Sequence, residues 1–359
     1  MKRPFLVLLS LAVAVASFSF VCFANNTAPA LSAKSAVLID AFSGAVLCEK
    51  NPHERMGMAS TTKIMTALVA VESCELDRKI SVSPKAVGIE GSSIYLYAGE
   101  CFTLKELLYA LLLRSANDAA AAIAIEVGGS IENFADMMNE RARELGLENT
   151  HFTNPHGLYD EEHYTSAYDL AVIASHALKN KALAEIFSTY KITIPIGSES
   201  ENSRFLVNHN KMLKLYEGAI GVKTGFTKAT GRCLVSAATR DGLTLISVTL
   251  DAPDDWQDHT KLLDYGFANY ESVLIAAKGA FSYSLPLVGG KNAALRLTNT
   301  EELRMTLPRD RDELTLRVET YHRFEFAPTQ VGTELGKVVY TYGNAFSASS
   351  LLVCAEFAD

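Results

Sequence analysis

The sequence predicts an α+β fold: a mixed helix-and-strand domain over residues 30–275, followed by a small all-β domain over 276–359. Three observations lead there. Helical-period apolar runs dominate the chain before residue 190, short β-rich runs follow, and beyond about Ala276 the pattern is almost purely strand-like. A chain of 359 residues that is 48% hydrophobic can bury a sizeable core, and its length favours two domains over one.

Taken in order, SAVLIDAFSGAVLCEKN alternates around Ser43-Gly44 and reads as a β-hairpin. STTKIMTALVAVESC then has a helical period. LKELLYALLLRSANDAAAAIAIEVGG places Leu107, Leu108, Leu111 and Leu112 on one helix face. A second helix is expected from about Asp118 to Val127, closed by Gly128-Gly129. IENFADMMNERARELGLEN is a further amphipathic helix, expected to end at Gly146. After residue 190, GVKTGFT, CLVSAAT and LTLISVTL are short β runs, the last two joined by the turn Arg240-Asp241-Gly242. HTKLLDYGFANYESV returns to a helical period before AALRLTN, ELRMTL, ELTLRVET, GKVVYTYG and SSLLVCAEF, which read as strands.

The N-terminus has a basic Met1-Lys2-Arg3, an uncharged apolar run from Phe5 to Ala24, and polar Asn25, Asn26 and Thr27. This pattern predicts a secretory signal over 1–24 cleaved after Ala24. The same stretch could just span a bilayer as a retained anchor. The formal net charge of −8 becomes −10 once Lys2 and Arg3 leave with the signal, which argues against nucleic acid as a partner. Cys48, Cys74, Cys101, Cys233 and Cys354 then remain. Their odd number and the lack of a C-x-x-C pair fit buried thiols better than a disulfide framework or a zinc site. With eight histidines and no H-E-x-x-H, no metal or other cofactor is expected.

Ser-x-x-Lys occurs at Ser60/Lys63 and Ser188/Lys191, about as often as chance allows. Ser-x-Asn is equally cheap and occurs at Ser115/Asn117 and Ser200/Asn202. Lys-Thr-Gly is rarer, expected on the order of a tenth of a time, and occurs once at Lys223-Thr224-Gly225. Context separates the copies. Ser60 opens a helix, so Lys63 lies one turn away on the same face, and a helix start leaves N–H groups free for an anion. Ser188 sits in a β-like reading that sends Lys191 to the opposite face. Ser115 and Asn117 interrupt two apolar helices, where polar side chains can enter a cleft, whereas Ser200 and Asn202 belong to a solvated loop. Lys223-Thr224-Gly225 lies on a β run, and its glycine permits close approach of a ligand. In isolation, Ser60 would be a helix cap, Ser115 and Asn117 loop formers, and both lysines solvated.

Together and in this order, the three elements resemble the S-x-x-K, S-x-N and K-T-G set of penicillin-recognising serine enzymes. The flanks GSSIYLYAGE, NPHGL, HYTSAYDLAVIA, NHNKML and LLDYGF are similar to segments of secreted D-alanyl-D-alanine carboxypeptidases, the low-molecular-weight penicillin-binding proteins. The resemblance covers about Ser35 to Tyr270. It implies a β-lactamase/transpeptidase-like domain, an antiparallel sheet plus a helical cluster, with the β-rich tail as the family's second domain. It further implies Ser60 as the nucleophile and Lys63 as its base. An alcohol needs such a base, and Lys63 can serve only if burial and a neighbouring cation such as Lys223 lower its pKa. Ser115 and Asn117 would relay a proton to the leaving amine and orient substrate. Lys223 and Thr224 would hold the substrate's terminal carboxylate, beside Gly225. The backbone N–H groups of Ser60 and Phe226 would receive the oxyanion.

The implied reaction is removal of the terminal D-alanine from peptidoglycan stem peptides ending in D-Ala-D-Ala, with β-lactams as covalent inhibitors. A D,D-endopeptidase would use the same residues. A class A β-lactamase would need a deacylating glutamate; the nearest approach, Glu144-Leu145-Gly146-Leu147-Glu148, reads as a helix end. A silent module binding cell-wall peptides is the alternative from another class. LDAPDDWQDHTK lacks an arginine where some relatives hold the carboxylate, which shifts that duty to Lys223 and Thr224. The tail SSLLVCAEFAD carries no basic amphipathic segment, so an extracytoplasmic enzyme without a C-terminal anchor is expected.

Overall fold

The computed structural model describes residues 27–196, 202–344 and 346–358; the expected signal over 1–24 and Ser200 of the second Ser-x-Asn copy lie outside them. β1 (Ser35–Asp40) and β2 (Val46–Lys50) form the expected antiparallel hairpin. The Asp40 carboxylate fastens its turn by accepting the Ser43 N–H and hydroxyl. A 3₁₀ turn, Ala59–Thr62, then feeds α1 (Lys63–Ser73). A short hairpin of β3 (Lys79–Ser81) and β4 (Cys101–Thr103) precedes α2 (Leu104–Leu113). That helix starts in a capping box, in which Thr103 and Glu106 satisfy each other's backbone N–H.

α3 (Asn117–Gly128) and α4 (Ile131–Glu144) follow, then α5 (Ala167–Lys179) and α6 (Lys181–Ser188). Ser130, Ser166 and Asn180 cap the last three. α3 is buried along Ala119–Ala124, and its small side chains let α1, α2 and α4 close around it. β5 (Lys191–Pro195) pairs with β6 (Ser203–Val207), and one helical turn, α7 (Met212–Leu215), leads into the main sheet. Ser188 ends α6 and donates to Glu185 O, while Lys191 opens β5, so this pair is split between two elements.

β7 (Ala219–Thr227), β8 (Gly231–Arg240) and β9 (Leu243–Leu250) complete an antiparallel sheet of order β2-β1-β9-β8-β7, leaving β7 at its edge. Period-two alternation serves both faces. Val37, Ile39, Val235, Ala237, Ile246 and Val248 meet the helical cluster. Leu38, Leu234, Ala238 and Leu245 pack with Leu262 and Leu263 of α8 (Asp255–Asn269).

The helical reading of HTKLLDYGFANYESV holds only to Asn269. Tyr270–Ala276 is a strand, β10, because long-range pairing with Leu303–Pro308 overrides the local period. β11 (Tyr283–Val288) and β12 (Ala294–Asn299) precede that partner, β13 (Leu303–Pro308). β14 (Thr315–Thr320), β15 (Glu325–Phe326), β16 (Glu334–Tyr342) and β17 (Phe346–Cys354) finish the chain. All but β10 and β13 form a six-stranded sheet around Leu285, Leu297, Val338 and Leu352. A buried hydrogen bond from Thr306 Oγ1 to Asp40 Oδ2 (2.7 Å) ties this part to the first hairpin. The five described cysteines are free, but only Cys48, Cys233 and Cys354 are buried; Cys74 and Cys101 are half-buried. No helix among the described residues is long and apolar enough to cross a membrane.

Candidate active site

The eight sequence-predicted site residues come from three places in the fold: the 3₁₀ turn with α1, the break between α2 and α3, and the edge strand β7. A 3₁₀ turn eclipses positions i and i+3, which sets Lys63 Nζ 3.0 Å from Ser60 Oγ. Ala59, immediately before the serine, has φ +48, a left-handed conformation that costs a non-glycine residue about 1–3 kcal/mol. Ser115 is likewise left-handed, φ +58, where the chain turns out of α2. The Asn117 N–H donates to Ser92 O, which fixes the start of α3.

Lys63 is fully buried, and its amine also contacts Asn117 Oδ1 at 2.7 Å and His156 O. Both of those oxygens can only accept. A neutral amine therefore spends its two hydrogens on them and turns its lone pair toward the Ser60 hydroxyl. Asn117 is held in this orientation from its other end, where Nδ2 donates to Glu90 O. Burial is the main force holding the Lys63 amine well below its ordinary pKa; the charge of Lys223 adds to it and the Asp118 carboxylate opposes it. Burial brings Lys223 down to about 7, and its Nζ donates to Thr224 O at 2.8 Å.

β7 runs its free edge along the turn that carries Ser60. A Cβ on Gly225 would stand 3.0 Å from Ser60 N, 3.1 Å from Met58 O and 3.1 Å from Thr61 N. Only glycine lets the strand come this close. The cleft so formed is lined by Ser60, Ser92, Ser115, Thr224, Gly225 and Phe226, together with His209, Arg232, Asp255 and Trp256. Ser60, Ser115, Thr224, Gly225 and Phe226 thus share one cavity, with Lys63, Asn117 and Lys223 buried beside it.

The chain matches the D-alanyl-D-alanine carboxypeptidase family over residues 23–254. It belongs to that family. It is 36% identical over 334 residues to the D-alanyl-D-alanine carboxypeptidase DacF of Bacillus subtilis, an alignment covering 90% of this chain and 85% of the relative. Among solved structures, penicillin binding protein 5 from Haemophilus influenzae superimposes with a TM-score of 0.76 at 30% identity, covering 93% of this chain and 99% of that one. A peptidoglycan synthesis regulatory factor (PBP3) from Streptococcus pneumoniae gives a TM-score of 0.81 at 25% identity, covering 92% and 100%.

Within this family framework, several site residues carried no role in the sequence reading. Arg232, on β8 opposite Phe226, enters the cleft and pairs with Asp255 at 2.9 Å, its guanidinium over Trp256. No motif flags it; only the β7–β8 register brings it to the site. His209 lies in NHNKML, and burial, aided by the charges of Arg114 and Lys223, lowers it to about 4, so it is neutral at pH 7. His156 and Gly157 belong to NPHGL and pack directly against Lys63 and the turn that carries Ser60. Glu144, the nearest candidate for a deacylating glutamate, ends α4 in an exposed pair with Arg141, and Asp255 is the one carboxylate among the described residues lining the cleft.

Proposed function

We propose that the protein is a serine-type D-Ala-D-Ala carboxypeptidase that removes the terminal D-alanine of peptidoglycan stem peptides through an acyl-enzyme on Ser60. The observation that carries this reading is the amine of Lys63, held by two acceptors and facing Ser60 Oγ at 3.0 Å. In the forward step, Ser60 Oγ attacks the carbonyl carbon of the penultimate D-alanine while its proton passes to Lys63 Nζ. The N–H groups of Ser60 and Phe226, brought together by the bare Gly225, receive the oxyanion. The C–N bond then breaks, Ser115 delivers its proton to the departing amine and takes in return the one held on Lys63, and D-alanine leaves with Lys63 neutral again. Water attacks the ester with Lys63 again as base, restoring Ser60. Asn117 holds Lys63 in place throughout.

Thr224 and Arg232 in the cleft, with Lys223 buried beside them, supply the terminal carboxylate's recognition. Arg232 is the permanent cation of the three. β-Lactams, which are cyclic amides, would acylate Ser60 by the same steps and leave slowly, because the amine of the opened ring stays tethered to the ester and no free carboxylate among the described cleft residues supplements Lys63 in activating water. The substrate and the N-terminal sequence support an extracytoplasmic location.

Incubation with a fluorescent penicillin and with a pentapeptide ending in D-Ala-D-Ala tests the reading. A label mapped by peptide mass spectrometry to Ser60, with release of free D-alanine, is the expected result. Label on another residue, or label without D-alanine release, would count against it. Rapid loss of the label would point to β-lactam turnover instead.

The pH dependence has a definite sign. Lys223 is charged below about pH 7 and loses its proton above it. The preference for an acid-ended over an amide-ended peptide is expected to fall as pH rises through 7, by up to about tenfold per pH unit, and to level off where Arg232 alone remains charged. The ratio of kcat/KM for the two peptides isolates this step from the titration of Lys63. A ratio constant from pH 6 to 9 contradicts the assignment.

A further inference from the structure

We infer that His163 is a positioning residue: acting through Thr62, it clamps the carbonyl of Ala59 and thereby holds the turn that presents Ser60. The inference rests on the acyl-transfer reading above and concerns residues to which neither the motifs nor the family resemblance gives a role.

The directions of the hydrogen bonds are forced. The Thr153 backbone N–H, which can only donate, points to His163 Nδ1 at 3.0 Å, and the Thr153 hydroxyl lies 3.3 Å from the same nitrogen. Nδ1 is therefore the bare nitrogen and Nε2 carries the proton. Nε2 stands 2.7 Å from Thr62 Oγ1, so Thr62 must accept there. Its own hydrogen goes to Ala59 O at 2.8 Å. One unbroken series of donors thus runs from the 153–157 segment to the backbone of the residue preceding the nucleophile. The inner members are enclosed: Thr62 is fully buried, His163 is 4% exposed, and Phe152 meets the imidazole edge-on, while Thr153 is half-buried.

Two further observations give the clamp something to hold. Ala59 sits in the left-handed region, a conformation that relaxes unless its surroundings enforce it. Gly157 (φ +83) presses against the same carbonyl, where a Cβ would lie 1.9 Å from Ala59 O and 2.8 Å from Thr62 Oγ1. The neighbouring His156 carbonyl is one of the two acceptors of Lys63. The 153–157 segment therefore touches both the turn carrying the nucleophile and the base itself, and His163 is the joint between them.

Thr62→Val removes both hydrogen bonds at nearly constant volume, whereas Thr62→Ser keeps them. Acylation by a fluorescent penicillin and kcat on the D-Ala-D-Ala peptide are expected to drop roughly 10- to 100-fold in Thr62→Val, with KM within about threefold, since a displaced nucleophile slows chemistry without emptying the cleft. Thr62→Ser is expected to retain the wild-type rate within about threefold. His163→Phe, which fills the ring's space without its nitrogens, should reproduce the loss. The double variant should be no slower than either single one, because both changes cut the same series. Wild-type acylation by Thr62→Val, equal losses in Thr62→Ser and Thr62→Val, or additive losses in the double variant would each overturn the clamp. Failure of wild-type protein to label at Ser60 would instead overturn the acyl-transfer reading itself.

Discussion

Lys63→Met is expected to cut acylation of Ser60 by about 10³- to 10⁴-fold, the range at the upper end of general-base contributions. Methionine nearly matches the length of the lysine stem but has neither a basic nitrogen for the serine proton nor hydrogens for Asn117 Oδ1 and His156 O. Those two buried acceptors lose a donor, a penalty of about 1–3 kcal/mol each, while the cost of keeping an amine fully out of water disappears. These terms oppose each other, so the melting temperature should move little compared with the rate. Stopped-flow labelling with a fluorescent penicillin, paired with a thermal melt, separates them. A variant that melts normally and acylates at the native rate would show that Ser60 is not activated by its neighbour at 3.0 Å.

Gly225→Ala should cost about 10²- to 10³-fold in kcat/KM, comparable to the loss of one oxyanion donor. The added carbon would meet Ser60 N at 3.0 Å, with Met58 O and Thr61 N at 3.1 Å. All three are backbone atoms, so no side chain can swing away to relieve the contact; either β7 or the turn carrying Ser60 must shift by a few tenths of an ångström. Such a shift displaces the N–H pair that would receive the oxyanion. The fold itself is expected to lose only about 1–3 kcal/mol, as for a modestly overpacked site. Kinetics on the D-Ala-D-Ala peptide and a denaturant titration of the same variant check both halves. An alanine variant with unaltered kcat/KM would mean that the strand and the turn need not approach this closely.

Much of this architecture was legible locally. The hairpin around Ser43-Gly44, the apolar helix from Lys63, and the strands from Gly231 to Leu250 follow from alternation, helical period and turn residues. Those signals act over a few neighbouring positions, where the backbone's own geometry decides. The expectation over HTKLLDYGFANYESV went astray at Tyr270 because a partner strand more than 25 residues away, beginning at Leu303, outweighs a local period. The split of Ser188 from Lys191 was anticipated, though the cause is a helix end rather than a strand's alternation.

Residue types and motif order alone determined the family and the placement of Ser60 and Lys63 one turn apart, since these depend on near neighbours in the chain. The third motif's glycine was expected to admit a ligand, whereas the tertiary structure packs it against the turn that carries Ser60. Tertiary structure alone decided that Lys63 is dry, that Asn117 holds the amine, that Arg232 enters the cleft from the adjoining strand and that His163 reaches the turn before Ser60. Desolvation and the direction of a hydrogen bond depend on what packs around a group. In this protein the packing partners lie from about 50 to more than 100 positions away along the chain, beyond the reach of any local pattern.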